Sequence, residues 1–477
     1  MPRRTKIVST IGPSSSDHDT LVRLIEAGVD VVRLNLSHGD LPEHLVRLAA
    51  VREAASEVGR PIAVLADLPG PKIRAGRFPE GGVELAAGSY VRVVTGEQMS
   101  DAGSIVIEHP GITDGLIAGD RIVLGDGAIS MTVDSRSAEG VVARVDTGGR
   151  THGSPGVHLS SERLTLSTPT AEDLELAEAM AAAGVEFLAV SFLRSAAELV
   201  PVRAVVGDRA RLVAKIETAA ALDDLVAIVE AADAVMVARG DLGIDCPIED
   251  VPHLQKMIIR ECVERGVPVI TATQMLESMV TAPSPTRAEV SDVANAVFDG
   301  TDALMLSGET AIGHDPVAVV GTMAAIAERA EREASYRAWA DRLGRMQRTR
   351  WDSIGDRVTA ALSHAATLAA RDVDASAILC CTRSGRTARA MARFRPEMTL
   401  LGLSPDPTVV RALALSWGVV PVEVGTYATT DEMVWHAVET AVRSGRVANG
   451  DTVLVLAGAP DRPSGAAAAV LRIVRAD

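Results

Sequence analysis

Short runs of apolar, β-branched residues alternate with amphipathic helical segments along most of the chain. The runs that read as strands lie at 6–11, 30–36, 62–66, 187–191, 212–216, 234–238, 268–272 and 303–306. Most are apolar at consecutive positions, which is typical of strands buried on both faces of a parallel sheet. Helical patterns follow them at 17–27, 42–58, 171–183, 196–206, 219–231, 252–264, 287–298 and 316–333. Eight strand–helix pairs predict an α/β fold built on a (β/α)8 TIM barrel, with a doubly wound open sheet as the alternative.

A different pattern interrupts the barrel after its third strand. Short runs of alternating polarity, separated by Gly-Asp, Asp-Gly and Gly-Gly turns, lie at 90–94, 104–108, 121–124, 129–133 and 141–145. This pattern predicts a small all-β domain inserted into one βα loop. Because βα loops gather at the catalytic face of such barrels, the insertion is placed to act as a lid.

A third segment follows a charged linker helix at 334–350. Strand patterns at 377–381, 399–403, 419–424 and 452–457 alternate there with helical ones at 357–370, 387–394, 408–416 and 431–444. They predict a separate C-terminal α/β domain. We therefore expect the barrel in residues 1–70 and 160–335, the β lid in 71–159, and the C-terminal domain in 345–477.

The amino-acid composition argues against several classes of function. The chain has 477 residues, of which 47% are hydrophobic and 23% charged, as in ordinary globular proteins. Its net charge of −16 and its few aromatic residues argue against a nucleic-acid partner. No run approaches the roughly 18 apolar residues that a membrane span needs. Four cysteines without zinc-site spacing, and an N-terminus without a signal-peptide core, predict a reduced, cytoplasmic setting.

Polar residues stand at the C-terminal ends of six predicted barrel strands. In strand order they include Arg33, Asn35, Ser37 and His38; Asp67, Lys72 and Arg74; Lys215 and Glu217; Arg239 and Asp241; Thr271, Thr273 and Gln274; and Ser307 and Glu309. Any one of them could be a structural ion pair. Together, at one rim of one barrel, they predict a catalytic site.

The residue types at this rim suit phosphoryl transfer. Lys215 and Glu217 are two positions apart on a strand and therefore point the same way. Glu217 and Asp241, from neighbouring strands, can converge as the oxygen ligands that Mg²⁺ prefers. Lys215, Arg33 and Arg74 supply the cations that neutralise a migrating phosphoryl group. The chain lacks a GxxxxGK[ST] loop and a strand-linked GxGxxG, so a nucleotide must be held in another way.

Several segments resemble the signatures of the pyruvate kinase family, in the family's order and across nearly the whole chain. They are Lys6-Ile-Val-Ser-Thr-Ile-Gly-Pro, Arg33-Leu-Asn-Leu-Ser-His-Gly, Ala214-Lys-Ile-Glu, Ala238-Arg-Gly-Asp-Leu-Gly, Ala272-Thr-Gln-Met-Leu-Glu-Ser-Met, Met305-Leu-Ser-Gly-Glu-Thr and Ser384-Gly-Arg-Thr-Ala-Arg. The resemblance implies the same three-part architecture. It also implies transfer of a phosphoryl group from phosphoenolpyruvate to ADP, giving pyruvate and ATP, with allosteric regulation through the C-terminal domain and a homotetrameric assembly.

The resemblance also implies residue roles. Lys215 would stabilise the transferring group and the enolate, Arg33 would grip the phosphoryl group, and Thr273 would help to protonate the enolate carbon through water. The substrate-binding set would be Arg33, Lys215, Gly240, Asp241, Thr273 and Ser307, with Glu309 beside Ser307 at the pocket floor. Nucleotide would contact Asn35, His38 and Arg74. Glu217 and Asp241 would hold Mg²⁺ or Mn²⁺. The family's monovalent-cation site falls on Asn35, Ser37, Asp67 and the Leu68 carbonyl.

An anion site is also expected in the C-terminal domain, where a strand leads into a helix. The loop consists of Thr382, Arg383, Ser384, Gly385, Arg386 and Thr387. Backbone N–H groups and two arginines would face one point there, although an ordinary helix cap is the alternative. The family uses this position for phosphorylated small-molecule effectors.

The departures from the family pattern are specific. K⁺-requiring members typically have Glu where this chain has Lys72 and Thr where it has Leu68, so we expect turnover without K⁺. Pro155 replaces a lid lysine that usually contacts nucleotide, so we assign no nucleotide contact to this position. Two other functions stay open at this point: a metal-dependent lyase or aldolase acting on pyruvate enolates, and a weakened regulatory paralogue, which Pro155 and Ala220 would favour.

Overall fold

The barrel forms from two separate stretches of the chain. The computed structural model describes residues 3–71, 73–109, 111–125, 127, 129–137, 139–159, 168–346, 354–457 and 470–476. The first barrel stretch contains β1 (Lys6–Thr10), α1 (His18–Ala27), β2 (Val31–Asn35), α2 (Leu41–Val58) and β3 (Ala63–Asp67). The inserted strands are β4 (Phe78–Leu85), β5 (Tyr90–Thr95), β6 (Ser104–Ile107), β7 (Arg121–Leu124), β8 (Ile129–Ser137), β9 (Gly140–Thr147), β10 (Gly149–Gly153) and β11 (Val157–Leu159).

The second barrel stretch carries the other five strands. Its elements are α3 (Ala171–Ala182), β12 (Phe187–Val190), α4 (Leu199–Val206), β13 (Arg211–Ile216), α5 (Ala219–Asp223), α6 (Leu225–Ala231), β14 (Ala234–Ala238), α7 (Arg239–Asp245), α8 (Val251–Arg265), β15 (Val269–Ala272), α9 (Arg287–Asp299), β16 (Ala303–Leu306), α10 (Gly308–Ala311) and α11 (Pro316–Glu333). The eight barrel strands close in the order β1-β16-β15-β14-β13-β12-β3-β2, and every neighbouring pair is parallel. The predicted TIM barrel is therefore confirmed, and the open-sheet alternative is excluded.

Side-chain caps fix where several barrel helices begin. Asp17 accepts a hydrogen bond from the Thr20 N–H at the start of α1, and Thr170 and Thr286 each form a reciprocal capping box. The helix expected over 219–231 is instead divided into α5 and α6 at Asp224. The Asp224 carboxylate accepts the Ala196 N–H, so it ties this break to the preceding βα connection.

The inserted strands build the predicted all-β domain. Six of them form one sheet in the order β11-β7-β8-β9-β5-β6, while β10 pairs with β4. The five predicted runs all lie in the larger sheet. The β4 strand was not predicted, because it contains a proline and two glycines and is buried only at its two ends.

The C-terminal domain contains a mostly parallel sheet. Its elements, after α12 (Tyr336–Met346), are α13 (Ile354–Asp372), β17 (Ala377–Cys381), α14 (Arg386–Ala392), β18 (Thr399–Ser404), α15 (Pro407–Ala412), β19 (Val419–Glu423), α16 (Thr430–Arg443), β20 (Thr452–Ala457) and β21 (Val470–Arg475). The order is β19-β18-β17-β20-β21, and only β21 is antiparallel to its neighbour. Strand β21 was not predicted, because two arginines interrupt a short run in which no side chain is fully buried.

This domain packs against the N-terminal ends of the barrel strands. Asp302, just before β16, accepts hydrogen bonds from Arg395 Nη1 at 3.0 Å and from the Trp417 N–H at 3.2 Å. At the start of β1, Lys6 Nζ donates to the Val419 carbonyl at 2.8 Å. The interface therefore lies at the end of the barrel opposite the rim where polar residues gather. Within the described part of the chain, no helix combines the length and apolarity that crossing a bilayer requires.

Candidate active site

A buried lysine lies at the centre of the rim cluster. Lys215 Nζ, on β13, is 2.7 Å from Glu217 Oε1 and 3.3 Å from Asp67 Oδ1, and it donates to Ser191 Oγ at 2.8 Å. Burial alone would lower the pKa of Lys215, but Asp67 and Glu217 outweigh it and raise the pKa above its ordinary value. The ammonium is therefore held charged and in a fixed position.

Arg33, on β2, binds the Asp67 carboxylate that also faces Lys215. Arg33 Nε donates to Asp67 Oδ2 at 2.8 Å, and its Nη2 lies 2.6 Å from the same oxygen. Its Nη1 donates to Thr10 Oγ1 at 3.1 Å. Burial alone would raise the pKa of Asp67, but Lys215 and Arg33 hold it below the usual value. A guanidinium has five N–H groups, more than these contacts use, so Arg33 can hold Asp67 and still bind an oxyanion.

Glu217 and Asp241 form a pair of carboxylates. Both line one cavity of about 400 Å³ at the barrel mouth. Burial raises the pKa of Glu217 to about 7; Lys215 opposes this shift, and the nearby Asp241 charge adds to it. The Phe192 N–H donates to Glu217 Oε2 at 2.6 Å, and the buried Oε1 faces the Lys215 ammonium at 2.7 Å.

These two carboxylates fit a divalent cation. Their charges repel each other, and a cation bound to oxygens of both would relieve that repulsion. Among the described residues, no group of three or more His, Cys, Asp or Glu side chains could hold a metal ion. Two carboxylates are a suitable set for Mg²⁺, which usually keeps water and substrate oxygens among its ligands.

A strained loop after β15 lies beside the start of α7. Thr273 and Gln274 both have positive φ angles, 67° and 54°. Thr273 Oγ1 accepts the Gly240 N–H at 2.8 Å and donates to the Ala272 carbonyl at 2.7 Å. The Gly240 N–H predicted to bind a substrate carboxylate is thus engaged by Thr273 in this structure, and both groups lie together as the sequence predicted.

Arg239 holds this loop, a function that the sequence analysis did not assign. Its Nη2 donates to the Thr273 carbonyl at 2.6 Å and its Nε to the Ala272 carbonyl at 3.2 Å. Its Nη1 forms an ion pair with Asp292 Oδ2 at 2.7 Å. Its position beside Gly240 and Asp241 was the available signal. Ser191 and Phe192 were also missed, although they follow the fourth barrel strand as the other rim residues follow theirs.

Glu309 links the loops that follow β15 and β16. It is fully buried; Oε2 accepts the Ser307 N–H at 2.7 Å and Oε1 accepts the Leu276 N–H at 3.0 Å. Glu309 therefore ties the loop after β16 to the loop after β15. Ser307 is the residue that this link positions.

The remaining barrel residues lie around the mouth. Ser37, His38 and Arg74 line the 400 Å³ cavity, and Arg74 Nη1 donates to the Ser154 carbonyl of the inserted domain at 3.1 Å. Asn35 Oδ1 accepts the Ser37 N–H at 3.2 Å, and the Leu68 carbonyl accepts Ser191 Oγ at 2.7 Å. Lys72, the predicted substitute for a monovalent cation, lies outside the described residues.

The predicted anion loop of the C-terminal domain is a tight turn at the start of α14. Gly385 has φ of 83° and donates its N–H to Thr382 Oγ1 at 2.9 Å. Arg383 and Arg386 are exposed, whereas Thr382 and Thr387 are buried. The Ser384 carbonyl accepts from Arg389 Nη1 at 3.3 Å, so this arginine stabilises the loop from behind.

Comparison with known proteins gives one consistent result. The family model described as "Pyruvate kinase, barrel domain" matches residues 2–320, and "Pyruvate kinase, alpha/beta domain" matches residues 360–474. The chain is 42% identical over 466 residues to a pyruvate kinase of Geobacillus stearothermophilus, covering 96% of this chain and 78% of the relative. It is 40% identical over 463 residues to one of Mycobacterium tuberculosis, covering 96% of both chains. A crystal structure of a pyruvate kinase from Cryptosporidium parvum superimposes with a TM-score of 0.92 at 29% identity, covering 100% of this chain and 96% of the other.

Proposed function

Because this chain belongs to the pyruvate kinase family, we propose that the groups at its barrel mouth share the transfer of a phosphoryl group from phosphoenolpyruvate to ADP. The P–O bond to the enol oxygen breaks, phosphorus bonds to a terminal oxygen of ADP, and the enolate carbon takes a proton to give pyruvate. The observation that supports these roles is the buried Lys215 ammonium, fixed between Asp67 and Glu217.

Charge neutralisation is assigned to Lys215, Arg33 and a divalent cation. Lys215 faces the transferring group and the enolate oxygen, and Arg33 binds the phosphoryl oxygens with the N–H groups that Asp67 and Thr10 leave. Glu217 and Asp241 would hold Mg²⁺ or Mn²⁺, which when bound neutralises charge on the substrate oxygens. Such preorganised charges act without reorganisation at the moment of reaction.

Substrate orientation is assigned to the strained loop and α7. The backbone N–H groups of Gly240 and Asp241 bind the substrate carboxylate, which takes over the hydrogen bond that Gly240 now gives to Thr273. This exchange frees an acceptor site on Thr273 Oγ1, where a water can bind, and the hydroxyl passes its proton through that water to the enolate carbon once it turns away from the Ala272 carbonyl. Ser307 shapes the floor, and Asn35, His38 and Arg74 contact the nucleotide.

Lys72 is proposed to replace the monovalent cation. Its ammonium would supply the charge that K⁺ provides at a site formed by Asn35, Ser37, Asp67 and the Leu68 carbonyl. We expect the enzyme to retain its turnover when K⁺ is exchanged for a bulky organic cation. A large loss of activity on that exchange would contradict this role.

Family membership is the support for the proposed regulation and assembly. We propose that a phosphorylated small molecule binds the loop from Thr382 to Thr387, and that the chain forms a homotetramer. Light scattering of the purified protein tests the assembly. A phosphorylated effector that shifts the substrate dependence of wild type, but not of Thr382→Ala, would support the loop.

The decisive experiment for the catalytic roles is a coupled assay of pyruvate formation with Lys215→Met beside wild type. A fixed cation at a transferring phosphoryl group is typically worth about 10³- to 10⁵-fold in rate, so we expect a loss of that size. Lys256→Met, at an exposed lysine paired with Asp299, is the matched control. Turnover without ADP would favour a lyase instead, and wild-type activity in Lys215→Met would refute the assignment.

A further inference from the structure

The chain crosses between the barrel and the inserted domain twice, and one buried carboxylate binds both crossings. The first crossing follows β3 and passes through Gly70, and the second leads through Thr170 into α3. Asp173, 1% exposed in the first turn of α3, accepts the Gly70 N–H through Oδ1 at 3.0 Å. Its Oδ2 accepts the Thr170 N–H at 2.9 Å and the Thr170 hydroxyl at 2.8 Å. The two oxygens of one side chain therefore join segments that the whole inserted domain separates in sequence.

These contacts exceed what capping of α3 requires. Thr170 and Asp173 form a reciprocal capping box, in which each side chain accepts the backbone N–H of the other residue. The box uses Oδ2 of Asp173 alone, whereas Oδ1 binds Gly70. A buried carboxylate oxygen is costly unless it accepts a hydrogen bond. The Gly70 N–H therefore satisfies Oδ1 and adds to the cap a bond between the two crossings.

Gly70 packs directly on the segment that holds catalytic side chains. Its φ is 66°, and a Cβ at this position would lie 2.8 Å from Phe192 Cδ2 and 3.0 Å from Ser191 Cβ. Glycine suits both this backbone conformation and this close approach. The Phe192 N–H donates to Glu217, and Ser191 Oγ accepts from Lys215 Nζ. The first crossing is therefore fixed against the residues that position Lys215 and Glu217.

Arg74 follows the first crossing and is bound to the inserted domain. Its Nη1 donates to the Ser154 carbonyl, and its backbone forms an antiparallel bridge with Gly156. Arg74 also lines the 400 Å³ cavity that contains Glu217. The separation between Arg74 and the catalytic cluster thus depends on how firmly the two crossings are held.

We propose that Asp173 is a positioning residue that ties the two crossings together and so places Arg74 over the barrel mouth. This inference rests on the proposed function, in which Arg74 contacts the nucleotide. Asp173 is buried and does not line the cavity, so it acts through the crossings and not on a substrate. Without its carboxylate, the inserted domain takes a wider range of positions, while the groups assigned to phosphoenolpyruvate stay on the barrel.

Steady-state kinetics of pyruvate formation separate this role from helix capping. Asp173→Ala should raise the KM for ADP about tenfold to a hundredfold, the range for a lost hydrogen bond to a charged group, with a smaller change in the KM for phosphoenolpyruvate. Thr170→Ala is the matched control, because it removes the side-chain cap of the same helix but keeps both backbone N–H groups that Asp173 binds. It should lower the unfolding temperature and leave the KM for ADP unchanged. Asp173→Asn, whose single amide oxygen can accept at only one crossing, serves as the test if Asp173→Ala does not fold.

Spin-label distances test the same role without turnover. The four native cysteines are buried, so labels on Glu53→Cys in α2 and Glu84→Cys in β4, both exposed positions, report the place of the inserted domain relative to the barrel. Double electron–electron resonance should show a broader distance distribution with Asp173→Ala than without it or with Thr170→Ala. An unchanged distribution, or a KM for ADP that Thr170→Ala raises equally, would overturn the proposal. A broader distribution in a protein that forms no pyruvate would support the role of Asp173 and refute the proposed function instead.

Discussion

Replacing Arg239 with lysine should lower the kcat of the enzyme without removing any group that touches substrate. The substitution keeps the charge but loses the fork that links Asp292 to the carbonyls of Ala272 and Thr273. Those contacts hold Thr273 and Gln274 in left-handed conformations, which cost roughly 1–2 kcal/mol for each non-glycine residue. About 2–4 kcal/mol therefore favours relaxation of the loop once the fork is gone.

Relaxation moves the Thr273 hydroxyl away from the Gly240 N–H. Misplacement of a catalytic group by about 1 Å can cost around a hundredfold in rate. Steady-state assays of pyruvate formation should therefore show kcat for Arg239→Lys lowered about a hundredfold, with a smaller change in the KM for phosphoenolpyruvate. Arg260→Lys, on the exposed face of α8, is the control.

A double-mutant cycle separates positioning from general destabilisation. If Arg239 acts through Thr273, the double variant Arg239→Lys/Thr273→Ala should lose little more than Thr273→Ala alone. Losses that multiply would refute the reasoning. So would a lower unfolding temperature in Arg239→Lys with kcat unchanged.

Three further outcomes follow from the structure. Glu217→Gln should weaken Mn²⁺ binding, followed by electron paramagnetic resonance, by more than about tenfold, since even changes outside a ligand set cost that much; unchanged affinity would remove Glu217 from the metal site. Arg395→Met leaves the Asp302 carboxylate buried without its ion-pair partner, so the free energy of unfolding should fall by about 3–5 kcal/mol in urea titrations, while Arg443→Met should have little effect. Burial would raise the pKa of Asp30, yet Arg3, Lys6 and Arg60 lower it, so its stabilisation is complete above about pH 4 and is lost as pH falls through the folded-state pKa. The unfolding temperature of Asp30→Asn should accordingly change less than that of wild type below about pH 4, and an equal change would contradict the assignment.

The barrel could be predicted because its strands are buried on both faces and therefore read as continuous apolar runs. The ends of the predicted strands also indicate which residues lie at the rim, so Lys215, Glu217 and Asp241 could be grouped from the strand ends alone. The contact between Arg239 and the Thr273 carbonyl could not be predicted, because it depends on left-handed backbone at two residues for which no glycine gives a signal.

Strands with weak hydrophobic patterning were also not predicted from the sequence. The inserted domain was recognised from its turns, yet three of its strands were missed: β4 and β10 contain glycines and show little alternation, and β11 has only three residues. In the site, the hydrogen bond from the Phe192 N–H to Glu217 could not be predicted either, since any residue other than proline offers the same backbone donor.

Strand β1 spans the distance between the two ends of the barrel in five residues. Its first residue, Lys6, donates to the Val419 carbonyl of the C-terminal domain, and its last, Thr10, accepts from Arg33, which binds Asp67 together with Lys215. A fully hydrogen-bonded strand of this length is about 16 Å long and does not compress. The C-terminal domain and Arg33 are therefore joined through one strand of constant length, with a side-chain hydrogen bond at each of its ends.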